Sequence, residues 1–144
     1  MTTPRKPSNG NVATVTLDDA LAIVGEKLDA VAVLTGIELT ARLVGATPID
    51  EGTAKGNWNA AINEPDHDTD EDRRGPDAIR DASRIFQELK LSEGDTGYVS
   101  NALPYIERLN NGWSQQAPSA FVQLTVAGMR DFVEKAAEAE RKRG

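Results

Sequence analysis

The chain has 144 residues, no cysteine, a single histidine, 39% hydrophobic residues and a formal net charge of −7. That length and apolar content fit one domain with one modest core. Without thiols there is no disulfide framework, thiolate metal site or cysteine nucleophile. The acidity argues against wrapping nucleic acid, because affinity for phosphates comes mainly from Lys and Arg. No apolar run approaches the ~18 residues of a membrane span, and the N-terminus has no apolar signal-peptide core.

Residues 1–15 carry Pro4, Pro7, Ser8, Asn9, Gly10 and Asn11 without periodicity, which predicts a flexible N-terminal arm. Residues 16–144 then form a single α+β domain. Thr16 is an N-cap candidate, and Asp18 and Asp19 complement the dipole of a first helix. Leu17, Leu21, Val24, Leu28, Val31, Leu39 and Leu43 recur at close to helical period, and Gly45 is a natural stop. Gly25 and Gly36 each cost about 1 kcal/mol inside a helix, which implies close backbone approach there.

Thr47–Gly52 reads as a turn, and Asn57–Asn63 as a strand presenting Trp58, Ala60 and Ile62. The polar run Glu64–Gly75 reads as an exposed acidic loop of low order. A second helix covers Asp77–Leu89, with Ile79, Ala82, Ile85, Phe86 and Leu89 on one face. Ser92–Thr96 turns, and Tyr98–Ser100 is a short strand. A short helix follows between two breaks: Asn101 as N-cap, Pro104 in the first turn, Ile106 and Leu109 on one face, and Asn110-Asn111-Gly112 as a left-handed stop. Trp113 comes at once, and Ala117-Pro118 forces extension before a last helix near Ser119. Phe121, Leu124, Val126, Met129, Phe132, Val133 and Ala136 supply that helix's apolar face. The expected fold is α+β, with long N-terminal and C-terminal helices packed on a small antiparallel sheet.

The chemistry is sparse. Asp66-x-Asp68-x-Asp70 has the spacing of the first ligands of a calcium loop, and Asp77 falls at the twelfth position. Glu71 stands where that loop needs Gly, however, and Arg73 and Arg74 place positive charge inside the cage. His67, in a polar loop, has no wall to fix its tautomer. There is no nucleophile elbow and no phosphate-cradling spacing among the glycines. The reading is a non-enzyme with no catalytic, cofactor-binding or metal residues.

Two blocks carry a family resemblance. Asn101 to Val122 contains L-P-Y-I-E-R-L-N-N-G-W-S-Q-Q-A-P, and Thr47 to Trp58 reads T-P-I-D-E-G-T-A-K-G-N-W. In that order they resemble the tail-completion (neck) family of tailed bacteriophages, which shows Asn, Pro-Tyr, Arg-Leu, Gly-Trp-Ser and Gln-Ala-Pro after a T-P-x-D-x-G…W element. Ile49 and Gly56-Asn57 depart mildly from the pattern. The resemblance implies a structural virion protein completing or joining the tail to the head around the DNA channel. It implies a ring of this chain, six copies or alternatively twelve. Its partners would be other neck, portal-side connector and tail proteins, with genomic DNA passing unbound and no membrane. It would sit at the head–tail junction, and in host cytoplasm during assembly. The motif positions Asn101, Pro104, Tyr105, Arg108, Leu109, Gly112, Trp113, Gln116, Pro118 and Trp58 become candidate partner-binding residues. The alternative is a small cytoplasmic peptide-binding or regulatory module gripping its ligand with Tyr105 and Trp113.

Overall fold

The computed structural model describes residues 12–13, 26–48, 52–103, 106–111 and 120–143. Its elements are β1 (Val12–Ala13), α1 (Glu26–Ala46), α2 (Gly52–Gly56), β2 (Asn59–Ile62), α3 (Gly75–Phe86), a single 3-10 turn (Leu91–Glu93), β3 (Gly97–Ser100), α4 (Ile106–Asn110) and α5 (Phe121–Lys142). The class is α+β, as the alternation of helical and strand-like segments predicts. The long helices and the strands at 59–62 and 97–100 lie where the periodicity places them, with the described ends moved by a few residues; the start of the first helix, expected at Thr16, falls outside the described residues.

The sheet is antiparallel, in the order β1-β3-β2. Ser100 lies opposite both Val12 and Asn59, and Val99 opposite both Ala13 and Ala60. Central position on β3 explains why Val99 and Ser100 are almost wholly buried. Val12–Ala13 fall in the stretch read as an arm. Two residues with no alternation to either side give no strand signal, so this edge is visible only through its ladder. The segments 1–11 and 14–25, including Gly25 and the first turns predicted for the N-terminal helix, lie outside the described residues.

Helix α1 is the axis of the core. It packs on α5, on α3 and on β3. Leu28, Val31, Ala32, Thr35, Leu39, Thr40, Leu43 and Val44 are all buried along it. The last helix does not share the sheet as expected: α5 packs chiefly on α1. Its buried residues Phe121, Met129, Val133, Ala137 and Glu140 form a narrow stripe that one facing helix can cover. The sheet is covered instead by α3 and α1, with Ala78, Ala82 and Phe86 buried on α3. Gly36 makes the α1–α3 approach possible, because a Cβ there would lie 2.5 Å from the Phe86 ring.

The predicted turn at 47–52 runs into a helix that the sequence did not announce. Gly52–Gly56 is one short turn flanked by glycines, and its formation depends on tertiary contact. Ala54 is fully buried, and a Cβ on Gly56 would lie 1.8 Å from the Arg73 carbonyl oxygen. Only glycine lets the acidic loop's return strand come this close.

Candidate functional site

The first motif block closes on itself. Trp58 is fully buried, and its indole Nε1–H donates to Thr47 Oγ1 at 2.8 Å. The Thr47 hydroxyl in turn donates to the Leu43 carbonyl at 2.6 Å, and Lys55 Nζ donates to the Val44 carbonyl at 2.9 Å. The Leu43 carbonyl also accepts the Thr47 N–H at 3.0 Å, so it is the Val44 carbonyl, at the end of α1, that gains its partner from Lys55. The Lys55 ammonium is held below its ordinary pKa by burial.

The second block is anchored on the first. Asn101 is fully buried; its Nδ2 donates to the Ala54 carbonyl at 2.9 Å, and its Oδ1 accepts from the Leu103 N–H at 3.1 Å. The side chain closes an Asx turn on Leu103, and α4 begins only at Ile106, so the expected N-cap at Asn101 is not formed; its Nδ2 ties β3 to α2. Leu103, Ile106 and Leu109 continue into the same core.

These placements correct part of the site reading. Trp58, Asn101 and Leu109 are buried within their own chain, so their side chains shape the fold and are not offered to a partner. The physical reason is the pairing itself: an indole N–H and a carboxamide need buried partners, and the first block supplies both, Thr47 for Trp58 and the Ala54 carbonyl for Asn101. Pro104, Tyr105, Gly112, Trp113, Gln116 and Pro118 lie outside the described residues, as does the side chain of Arg108.

Asn110 is a residue the sequence reading passed over. Its carbonyl accepts from the Ala120 N–H, and its Oδ1 accepts from Val122 N–H at 2.8 Å. Its Nδ2 donates to Gln123 Oε1 at 2.9 Å. Asn110 therefore caps the start of α5 from the end of α4, beside an Ala120 held at φ 63°. In sequence it reads only as part of a helix stop; its donor lies 12 residues further on.

The acidic loop is exposed at its side chains but not loosely held. Asn59 Nδ2 donates to the Asp66 and Asp68 carbonyls at 3.1 and 2.7 Å, and Ser100 Oγ donates to the Asp66 carbonyl at 2.9 Å. Asn57 Nδ2 donates to the Asp70 carbonyl at 2.9 Å, while its Oδ1 accepts the Asp70 N–H at 2.7 Å. The low order expected there fails because polar side chains of the sheet take up the loop's backbone. The D-x-D-x-D spacing also has a local cause. Asp66 Oδ1 accepts the Asp68 N–H and Asp70 Oδ1 accepts the Asp72 N–H, both at 2.9 Å, forming successive Asx turns. Among the described residues no three Asp, Glu or His side chains converge in a way that would hold a metal ion.

Arg73 closes the loop. Its NH1 donates to Asn59 Oδ1 and the Trp58 carbonyl, and its Nε and NH2 donate to Asp81 Oδ2 at 3.2 and 2.9 Å. A shallow depression of about 310 Å³ beside it is lined by Asp70, Asp72, Arg73, Asp77, Arg80 and Asp81. Arg80 pairs there with Asp77 at 3.2 Å and Asp81 at 3.7 Å, and with four carboxylates against two guanidinium groups the lining stays acidic. Nothing in that lining provides an activated nucleophile or a positioned base.

Comparison of the chain with protein-family models, with curated proteins and with solved structures gives no match. The family resemblance therefore rests on the two motif blocks alone.

Proposed function

We propose that this chain is a structural subunit of the neck of a tailed bacteriophage, completing or joining the tail to the head around the DNA channel. The observation that carries the reading is the junction of the motif blocks. Residues 47–58 and the segment opened by Asn101, separated by the whole acidic loop and α3, meet through Asn101 and Ala54 in one buried unit. Motif residues that depend on each other for burial are a reason for the two blocks to occur together. The acidity agrees: a wall carrying the sign of phosphate lets DNA pass without holding it. The loop from His67 to Asp72 presents exposed carboxylates on a backbone fixed to the sheet.

On this reading the chain assembles as a closed ring, six copies at the tail's symmetry or twelve at the portal's, between portal-side and tail proteins. The test is made on purified particles. Peptide mass spectrometry is expected to find the chain in the virion, and symmetry-resolved imaging to place it in a ring at the head–tail junction. If the chain is absent from virions, the structural reading fails and a peptide-binding module replaces it.

A further inference from the structure

Helix α5 is held to the body of the fold by packing, with little directional bonding. It packs chiefly on α1, its buried stripe being Phe121, Met129, Val133, Ala137 and Glu140. Among the described residues one hydrogen bond crosses from α1 to α5. In it Arg42 NH1 donates to the Gly128 carbonyl at 3.1 Å, and the same guanidinium lies 5.6 Å from the Phe132 ring centre. The ion pairs of α5, from Asp131–Lys135 to the buried Glu140 with Arg143, are internal to the helix. Thr35, two turns before Arg42 on the same side of α1, is buried with its hydroxyl unpaired among the described residues. Other junctions are latched by side chains that cross between elements. Ser92 donates to Asp29, Lys55 to the Val44 carbonyl and Asn101 to the Ala54 carbonyl.

The chain also enters α5 under strain. Ala120 stands at φ 63° and ψ 36°, in the left-handed region, and alanine has no polar side chain to ease that conformation. Asn63, the other described non-glycine residue with positive φ, is of a type that adopts it more readily. The strained turn brings Ala120 back to Asn110, whose carbonyl accepts the Ala120 N–H and whose Oδ1 accepts the Val122 N–H at 2.8 Å.

We infer that α5 is exchangeable between copies of this chain, the α5 of one copy occupying the face of α1 that the other's α5 has left. The junction selects this occupant. A second α5 of the same sequence supplies the same apolar stripe, the Gly128 carbonyl and the Phe132 ring for Arg42, and its ion pairs travel with it. Exchange conserves the contacts of the junction, so the two forms differ at the closure around Ala120 and in the number of copies engaged. Relief of the left-handed alanine favours the exchanged form, and the lost freedom of a second copy opposes it. Reciprocal exchange between two copies is the smallest assembly that leaves no α1 face bare. This inference does not depend on the neck assignment.

The experiment unfolds carbon-13-labelled and unlabelled full-length protein together, refolds them at high concentration, and isolates dimer by size exclusion with light scattering. Isotope-filtered NMR of the dimer is expected to show the Arg42–Phe132 contact between a labelled and an unlabelled copy. Two variants shift the balance in opposite directions. Ala120→Pro fixes φ at about −65°, which a helix start accepts and the closed turn does not, and is expected to give mainly dimer. Ala120→Gly is at ease in the left-handed turn and is expected to give less dimer than wild type. A dimer whose Arg42–Phe132 contact stays within each copy overturns the proposal, as does wild type that is monomeric at every concentration. A folded but monomeric Ala120→Pro protein, or an Ala120→Gly protein richer in dimer than wild type, overturns it too. Should Ala120→Pro not fold, the wild-type experiment decides.

Discussion

Asn101 and Trp58 are both buried polar junctions whose partners decide their role. Asn101 reads as an N-cap, but α4 begins only at Ile106, and its Oδ1 accepts the Leu103 N–H in an Asx turn ahead of that helix. Its other bond, to an Ala54 carbonyl 47 positions away, leaves no trace in local pattern. Replacing Asn101 by Ala leaves the Leu103 N–H unpaired and takes from the Ala54 carbonyl the shorter of its two bonds, the other being from the Asn57 N–H, which is expected to cost about 1–3 kcal/mol. Trp58→Ala removes a fully buried indole and is expected to cost about 3–5 kcal/mol, with Thr47 losing its partner. Chemical denaturation of both variants measures this. A Trp58→Ala protein of wild-type stability would contradict its place in the core. The same arithmetic explains why a motif with Trp and Asn can look like a binding surface: residues rich in hydrogen-bonding capacity suit interfaces and buried junctions alike.

Between elements, polar latches rather than periodicity decide what is ordered. The loop from 64 to 74 was legible as exposed and acidic. Its order was not, because Asn57, Asn59 and Ser100 look like ordinary strand polar residues until the sheet aims them at the loop's carbonyls. Changing Asp66, Asp68 and Asp70 together to Asn retains side-chain oxygens that can accept the same turn bonds, so stability is expected to stay within about 0.5 kcal/mol. Asn59→Ala leaves the Asp68 carbonyl without its side-chain donor and removes one bond each from the Asp66 carbonyl, which keeps Ser100, and from Arg73, which keeps Asp81 and the Trp58 carbonyl; it is expected to cost about 1–3 kcal/mol. A result in the opposite order would show that the carboxylates, not the amides, fix the loop. A second latch joins α1 to the 3-10 turn: Asp29 accepts from Ser92 N–H at 2.9 Å and from Ser92 Oγ at 2.6 Å. Burial pushes the Asp29 carboxyl up, but the Ser92 bonds and nearby Lys90 outweigh it and hold the pKa below its ordinary 3.8. A depressed folded pKa means the contribution is present above the unfolded value and lost as pH falls through the folded one. Urea midpoints measured from neutral pH down through this range are therefore expected to drop less for Ser92→Ala than for wild type. Equal acid sensitivity would remove the latch from the account.

At the scale of the whole molecule, the longer helices and the class were legible, and the partnering of the helices was not. A helix buried against α5, α3 and β3 carries apolar residues on more than one side, so its sequence does not say which neighbour takes which face. What the packing leaves uncovered bears on assembly. Among the described residues two large hydrophobics are exposed, Leu34 on α1 and Leu124 on α5. A ring subunit makes heterologous contacts, which require two different patches, and each junction of normal size covers about 800 Å² per partner. On the proposed ring, Leu34 and Leu124 are the large apolar side chains that α1 and α5 would offer to such contacts. Leu34→Glu and Leu124→Glu are each expected to leave the free chain within about 0.5 kcal/mol of wild type, because neither side chain is in the core. In particles reconstituted with either variant, a ring sealed by these patches is expected not to close, since a carboxylate would be buried without a partner. Normal folding with failed head–tail joining locates the contact on these helices. Normal folding with normal joining for both variants removes α1 and α5 from the interface and leaves the ring reading to find its contacts elsewhere.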